Sequence, residues 1–311
     1  LEPAFPATSV QALDAIGIGD DEPAIFVSQS RGGLWRGRAR AMTMLDLPGD
    51  LDQRTFTAIA EQPMRDGRTR LVASGDPGGA RDLRHPDDAR VATPRRFVNF
   101  LRLRDSSLVG IAADGLVRLG ADGWRPLAAV EGRRVRTATR VARAGGEELL
   151  ASLPTELLRI APDGTALGSF APWLGGAVDR LAFDSVRAEL WAARHDTIFR
   201  VRDGGTRADT LTRRDGLPEA PYRFLRHARL DDGRAVVLVG SLQGLAVADA
   251  DAPRPAFVRW DTTNVAGLHD QTIVTSALFP DGRLVLGTAA GIAVLRLARP
   301  VTAAPRVLAW Y

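Results

Sequence analysis

The chain has no cysteine, which removes disulfides, thiolate nucleophiles and cysteine-ligated zinc together. Lysine is missing too. All 41 basic residues are arginine, set against 37 acids, so little titrates between histidine and arginine, and a sequence pI near 10.6 overstates a formal charge of only +4. Arg and Asp alternate through the loops, as in RVRDGG, rather than gathering into the basic stripe a nucleic-acid partner requires; no nucleic-acid binding is expected. Four histidines (His85, His195, His227 and His269) lie too far apart to propose a metal cluster from spacing, so no metal is expected. The motifs G-x-S-x-G, H-E-x-x-H, the P-loop and a strand-to-helix G-x-G-x-x-G are all absent, and neither a catalytic residue nor a cofactor is assigned. No apolar run reaches 18 residues, so no membrane insertion is expected in this segment. The first residue is Leu, as in a processed or trimmed product. Aromatics make up only 6%, which leaves the core to Val, Leu, Ile and Ala.

What is present is a repeat. DGRLVLGTAAGIAVL, from Asp281 to Leu295, reads as a tight turn, an apolar strand, a second turn opening at Gly291 and another strand. The short signature of that second strand recurs at Gly244, Thr197, Glu156 and Gly115, and more faintly at Gly79 and Gly33. Each interval holds about four short strands and their turns, the content of one propeller blade. The spacing predicts an all-β chain: a seven-bladed β-propeller of four-stranded antiparallel blades, residues 1–311 forming one domain. Helices are excluded by short apolar runs punctuated by Gly and Asp-Gly, with no sustained 3.6-residue stripe. A strand at about residues 9–18 and the last apolar run, RVLAW at Arg306 to Trp310, are expected to share one blade, so that the N- and C-terminal strands close the ring and hide two edges. Gly75 to Pro94 is the least regular segment, an excursion that either carries binding determinants or has no role.

From Thr212 onward, TRRDGLPEAPYRFLRHARLDDGRAVVLVGSLQGLAVAD, with Asp215-Gly216-Leu217, Asp232-Gly233 and then VGSLQGL, resembles the two-component regulator propeller repeat. The last repeat, with Asp281-Gly282, Gly287-Thr288 and Gly291-Ile292, is similar to it as well. Val285 and Val237 stand where that family carries tryptophan, and Trp191 keeps it. The resemblance implies a periplasmic or extracellular, non-enzymatic ligand-binding module of a bacterial signalling protein. Such a module belongs to a larger sensor that can dimerise, and it takes a small-molecule or glycan ligand at the mouth of the central channel.

Candidate binding residues come from aligning the inner strands on their turn aspartates. Asp179 and Arg226 fall at one level; Glu61, Arg140, Arg180 and His227 fall one residue on. Arg140, Arg180, Arg226 and His227 would line an arc over three consecutive blades, suited to a carboxylate, sulfate or phosphate, with Arg giving bidentate contacts. The weightier reading is that they pair with Asp179, Glu61 and loop aspartates, because buried charge usually needs a partner. Three function classes follow: the anion-binding sensor module; a secreted propeller hydrolase or lyase acting on glycans or lactones; and a protein-binding scaffold. The first is preferred, and an enzyme is not the expectation.

Overall fold

The computed structural model describes residues 10–16, 24–30, 33–38, 41–45, 47, 55–64, 66–76, 78–143 and 146–311. Seven antiparallel sheets follow one another along the chain. The first comprises β1 (Val10–Ile16), β2 (Ala24–Gln29), β3 (Leu34–Arg38) and β4 (Ala41–Met44); the second β5 (Thr55–Pro63), β6 (Thr69–Asp76) and β7 (Gly79–Asp82); the third β8 (Asn99–Arg102), β9 (Leu108–Ala112), β10 (Gly115–Gly120) and β11 (Gly123–Pro126). In the fourth lie β12 (Thr137–Arg143), β13 (Gly146–Ser152), β14 (Leu157–Ile160) and β15 (Ala166–Phe170); in the fifth β16 (Arg180–Asp184), β17 (Glu189–Arg194), β18 (Thr197–Arg202) and β19 (Arg207–Leu211). The sixth has β20 (Phe224–Arg229), β21 (Ala235–Ser241), β22 (Gly244–Asp249) and β23 (Val258–Trp260); the seventh β24 (Ile273–Leu278), β25 (Arg283–Thr288), β26 (Ile292–Arg296) and β27 (Arg306–Trp310). These are the blades of an all-β, seven-bladed propeller, with helix among the described residues limited to short 3-10 turns.

Six blades have four strands and the second has three, its fourth reduced to a lone bridge between Ala80 and Thr93. The first and last strands do not share a blade. β1 belongs to the first sheet and β27 to the last, because the seventh blade draws all four strands from its own stretch of chain and leaves no place for β1.

By compactness the chain forms two units: sheets one to four from Gln11 to Ala177, and sheets five to seven from Val178 to Tyr311. Within each unit the apolar clusters lie between consecutive sheets. Phe26, Leu34, Phe56 and Leu71 join sheets one and two; Val109, Leu116, Leu149 and Ile160 join three and four. In the second unit, Trp191, Ile198, Leu225 and Val237 join five and six, and Leu238, Val247, Leu284 and Leu295 join six and seven. Second strands are covered on both faces, which is why AVVLVGS of β21 is buried throughout and reads as one apolar run rather than an alternation.

Three of the hairpins joining first to second strands repeat one device. In Asp66-Gly67-Arg68, Asp232-Gly233-Arg234 and Asp281-Gly282-Arg283 the aspartate accepts from the arginine's backbone N–H through Oδ1 and from its Nε through Oδ2. The side chain thus closes the turn that glycine's backbone permits.

The excursion after β6 is fastened down. Val91 is buried, its carbonyl accepts from Trp124 Nε1 at 2.8 Å, and Asp88 accepts from the Arg90 guanidinium and from Arg70 Nη2 at 2.8 Å. The hydrogen bond from Arg90 is the main reason that the Asp88 carboxyl is lowered to about 2; partial burial opposes it, and the Arg90 backbone amide and the Arg70 charge add to it. A folded pKa below the unfolded value contributes stability that is complete above the ordinary carboxylate range and lost as pH falls through about 2. Asp88→Asn is therefore expected to lower stability at pH 7 and to flatten the acid limb between about pH 4 and pH 2. Urea melts across that range check it; an acid limb as steep as the wild type's would contradict the assignment.

Candidate functional site

Two of the six candidate residues lie in the first unit. Glu61, on β5 opposite Leu71, is buried and accepts from Arg84 Nη2 at 2.7 Å. Arg140, on β12 opposite Leu149, is exposed; its Nη1 donates to the Arg102 carbonyl at 3.1 Å and lies 3.5 Å from Glu147 Oε1.

The other four lie in the second unit. Asp179 precedes β16, donates its backbone N–H to the Ala193 carbonyl and accepts at Oδ2 from the His195 amide at 3.2 Å. That bond holds the turn between β17 and β18, where His195 has a positive φ of 54°. Tyr222 holds the same turn from the next blade, its hydroxyl donating to the Asp196 carbonyl at 3.0 Å. Burial, with the Asp196 charge adding to it, pushes that phenol up to about 12, so it acts as a neutral donor.

His227, on β20 opposite Val237, has a side chain 4% exposed, with Nε2 3.3 Å from Asp184 Oδ2 at the end of β16. Burial would raise the Asp184 carboxyl, but the His227 contact, the imidazole's charge and the amides of Val186 and Arg187 outweigh it and hold it well below the carboxylate range. Arg229 continues the chain of contacts, 3.4 Å from Asp184 and 3.3 Å from Asp251, which in turn meets Arg187 at 2.8 Å. His227 thus ties blade five to blade six from inside. Arg226, its neighbour on β20, is half-buried opposite Leu238.

Arg180 opens β16 and is half-buried. Its Nε donates to the Arg223 carbonyl at 2.6 Å and its Nη1 to the Asp179 carbonyl at 2.7 Å. Both acceptors are main-chain oxygens, and among the described residues no carboxylate pairs with this guanidinium. Burial lowers its pKa, the Asp179 charge pushes it back up, and the Arg223 charge lowers it further; a guanidinium stays cationic under such shifts. The result is a fixed, half-buried positive charge held by main-chain carbonyls, with the Asp179 charge nearby.

The segment that positions the Arg223 carbonyl contains the DGL motif. Thr212 and Asp215 form a reciprocal cap on a 3-10 turn, Gly216 follows at φ 92°, and Leu217 and Tyr222 insert into the core between blades five and six. The Arg223 amide then donates to the Gly240 carbonyl at 2.7 Å, which sets β20 in register.

The ladder also corrects the alignment of levels. Ile111, Ser152, Ala193, Gly240 and Gly287 occupy equivalent places on the second strands, and they face Asn99, Thr137, Arg180, Phe224 and Thr275. Arg140 and His227 therefore sit three residues beyond the level of Arg180, and Arg226 two. Turn aspartates are a poor ruler because the hairpins differ in length: Asp184 pairs with Glu189, but Arg229 with Ala235 and Arg143 with Gly146. Asp184 and Tyr222 carried no signal that separates them from their neighbours, and the Arg223 contribution is a carbonyl, which every residue has.

No protein-family model matches the sequence, and no curated protein matches it. Solved structures do. The extracellular domain of BT3049 from B. thetaiotaomicron, described as a hybrid two-component system, matches at TM-score 0.69 and 11% identity over 97% of this chain and 41% of its own. That of BT4673 from the same organism, described in the same terms, matches at 0.63 and 17% over 93% of this chain and 38% of its own. The WD40 β-propeller domain of Doa1 matches at 0.66 and 11% over 93% of each chain. The chain thus spans roughly two fifths of the two extracellular domains. At these identities the likeness is one of fold, and the fold shared is the β-propeller.

Proposed function

We propose that this chain is a non-enzymatic, extracytoplasmic ligand-binding module of a bacterial signalling protein, a single propeller domain over residues 1–311 within a larger sensor that can dimerise. It takes an anionic group of a small or carbohydrate-like ligand at Arg180. The observation that carries the reading is that guanidinium, held by two main-chain carbonyls and, among the described residues, hydrogen-bonded to no carboxylate. A structural ion pair would have supplied its own counter-charge; here a ligand supplies it. The likeness in fold to the extracellular domains of BT3049 and BT4673 supports the location and the signalling role.

Calorimetric titration of the purified chain with glucuronate and with sulfate tests this. A charge-assisted hydrogen bond contributes about 1.5–3 kcal/mol. Arg180→Gln is therefore expected to weaken binding by roughly ten- to 150-fold, and Arg180→Lys to retain part of it. Equal affinity in wild type and Arg180→Gln, or no heat from wild type with either anion, would remove the reading.

A further inference from the structure

Blade two carries a group of buried polar side chains on one face of its sheet. Gln62 on β5 lies directly opposite Arg70 on β6, and Asp82 on β7 lies opposite Val72, two residues along on the same face as Arg70. Gln62 is 5% exposed, Arg70 4% and Asp82 1%. Most of their hydrogen-bonding capacity is used. Gln62 Nε2 donates to the Leu119 carbonyl, Arg70 Nη2 to Asp88, and Asp82 Oδ1 accepts from the amides of Leu71 and Arg84.

Three atoms of the group have no hydrogen-bond partner among the described residues: Gln62 Oε1, Arg70 Nη1 and Asp82 Oδ2. Arg70 Nε stands 3.9 Å from that same Asp82 oxygen, too far for a direct bond. Leaving such atoms unsatisfied in a buried site costs free energy for each of them. Their polarity restricts what can satisfy them. An anion would face two acceptor oxygens, and a cation would face a guanidinium. A neutral molecule that donates twice and accepts once meets all three.

We infer that blade two holds an internal water, which donates to Gln62 Oε1 and Asp82 Oδ2 and accepts from Arg70 Nη1. Three hydrogen bonds to otherwise unsatisfied buried groups is the usual complement of a buried protein water. Its place follows from the missing fourth strand. Where other blades cover the third strand with another, this one folds residues 83–94 back over β7 and brings the Arg84 amide onto Asp82 and the Asp88 carboxylate onto Arg70. Polar side chains are thereby buried at separations that direct pairing does not close.

A crystal structure of the full chain at a resolution that shows ordered water tests the site. The expected result is one density peak within hydrogen-bond distance of all three atoms. Side chains turned to bond one another with nothing between them, or a peak refining as an ion, would overturn the inference. Oxygen-17 relaxation dispersion provides a solution measurement: Gln62→Leu is expected to hold one fewer slowly exchanging water than wild type, and equal numbers would overturn it. If Gln62→Leu does not fold, the wild-type crystal structure decides alone.

Discussion

Arg200→Val is expected to lower the unfolding free energy by about 3–5 kcal/mol, the cost of stranding one partner of a buried ion pair. Arg200 is 2% exposed on β18; Nε and Nη2 grip Glu189 at 2.8 and 3.2 Å, Nη1 reaches the Ala252 carbonyl of the next blade at 2.7 Å, and the guanidinium lies 5.4 Å from the centre of the Trp191 ring. Removing it leaves a carboxylate in the protein interior. Blade six shows an alternative, since the positions equivalent to Glu189 and Arg200 there are Val236 and Val247, both buried in the core. The double variant Glu189→Val with Arg200→Val is therefore expected to recover most of the loss, short of about 1 kcal/mol for the unpaired Ala252 carbonyl. Urea melts of the wild type, both single variants and the double variant close the cycle; a double variant no better than Arg200→Val would mean that packing around the arginine, not charge, is what matters. The counterpart in blade four, Glu148 with Arg159, is expected to contribute much less, because there the arginine is partly exposed.

Gly216→Ala is expected to cost at least about 3 kcal/mol, combining left-handed strain with a collision. Gly216 has φ 92°, and a β-carbon there would fall 1.9 Å from the Phe257 carbonyl oxygen. That oxygen cannot retreat easily, since the Phe257 amide donates to the Asp215 carbonyl at 2.7 Å and so binds the same two segments together. Gly67→Ala is the control: φ is 79° but nothing lies within 4 Å of the added carbon, so only the backbone term remains, about 1–2 kcal/mol. Thermal melts of the two variants separate conformation from contact. Equal losses would show that the approach to Phe257 relaxes without cost. Because the turn after Gly216 leads to the Arg223 carbonyl on which Arg180 rests, anion affinity is expected to fall in Gly216→Ala along with stability.

Much of this was readable from residues. The seven starts from Gly33 to Gly291 each open a third strand or stand immediately before one. Asp-Gly-Arg turns and short apolar runs are local signals, and a blade is built from neighbours in the chain. One further periodic signal was available: an acid on the second strand and an arginine 11 residues later, as in Glu148 with Arg159 and Glu189 with Arg200, are paired wherever both occur. Arg180, too, was placed on the inner strand by counting alone.

The partners were not readable. That His227 faces Asp184 across two blades, or that Arg180 rests on carbonyls while Arg140 and Glu61 meet Glu147 and Arg84, depends on hairpin lengths that slide one strand against the next by a residue or two. A slip of one residue carries a side chain to the opposite face, and a slip of two gives it a different neighbour on the same face.

Local residue patterns specified the number of blades and the place of most turns, because those rest on contacts between residues close in the chain, but they did not place the first strand, which lies in the first blade and not the last. Which charges meet carboxylates, and that Arg180 rests on main-chain carbonyls, came from the fold, because it depends on the distances between side chains brought together from separate blades.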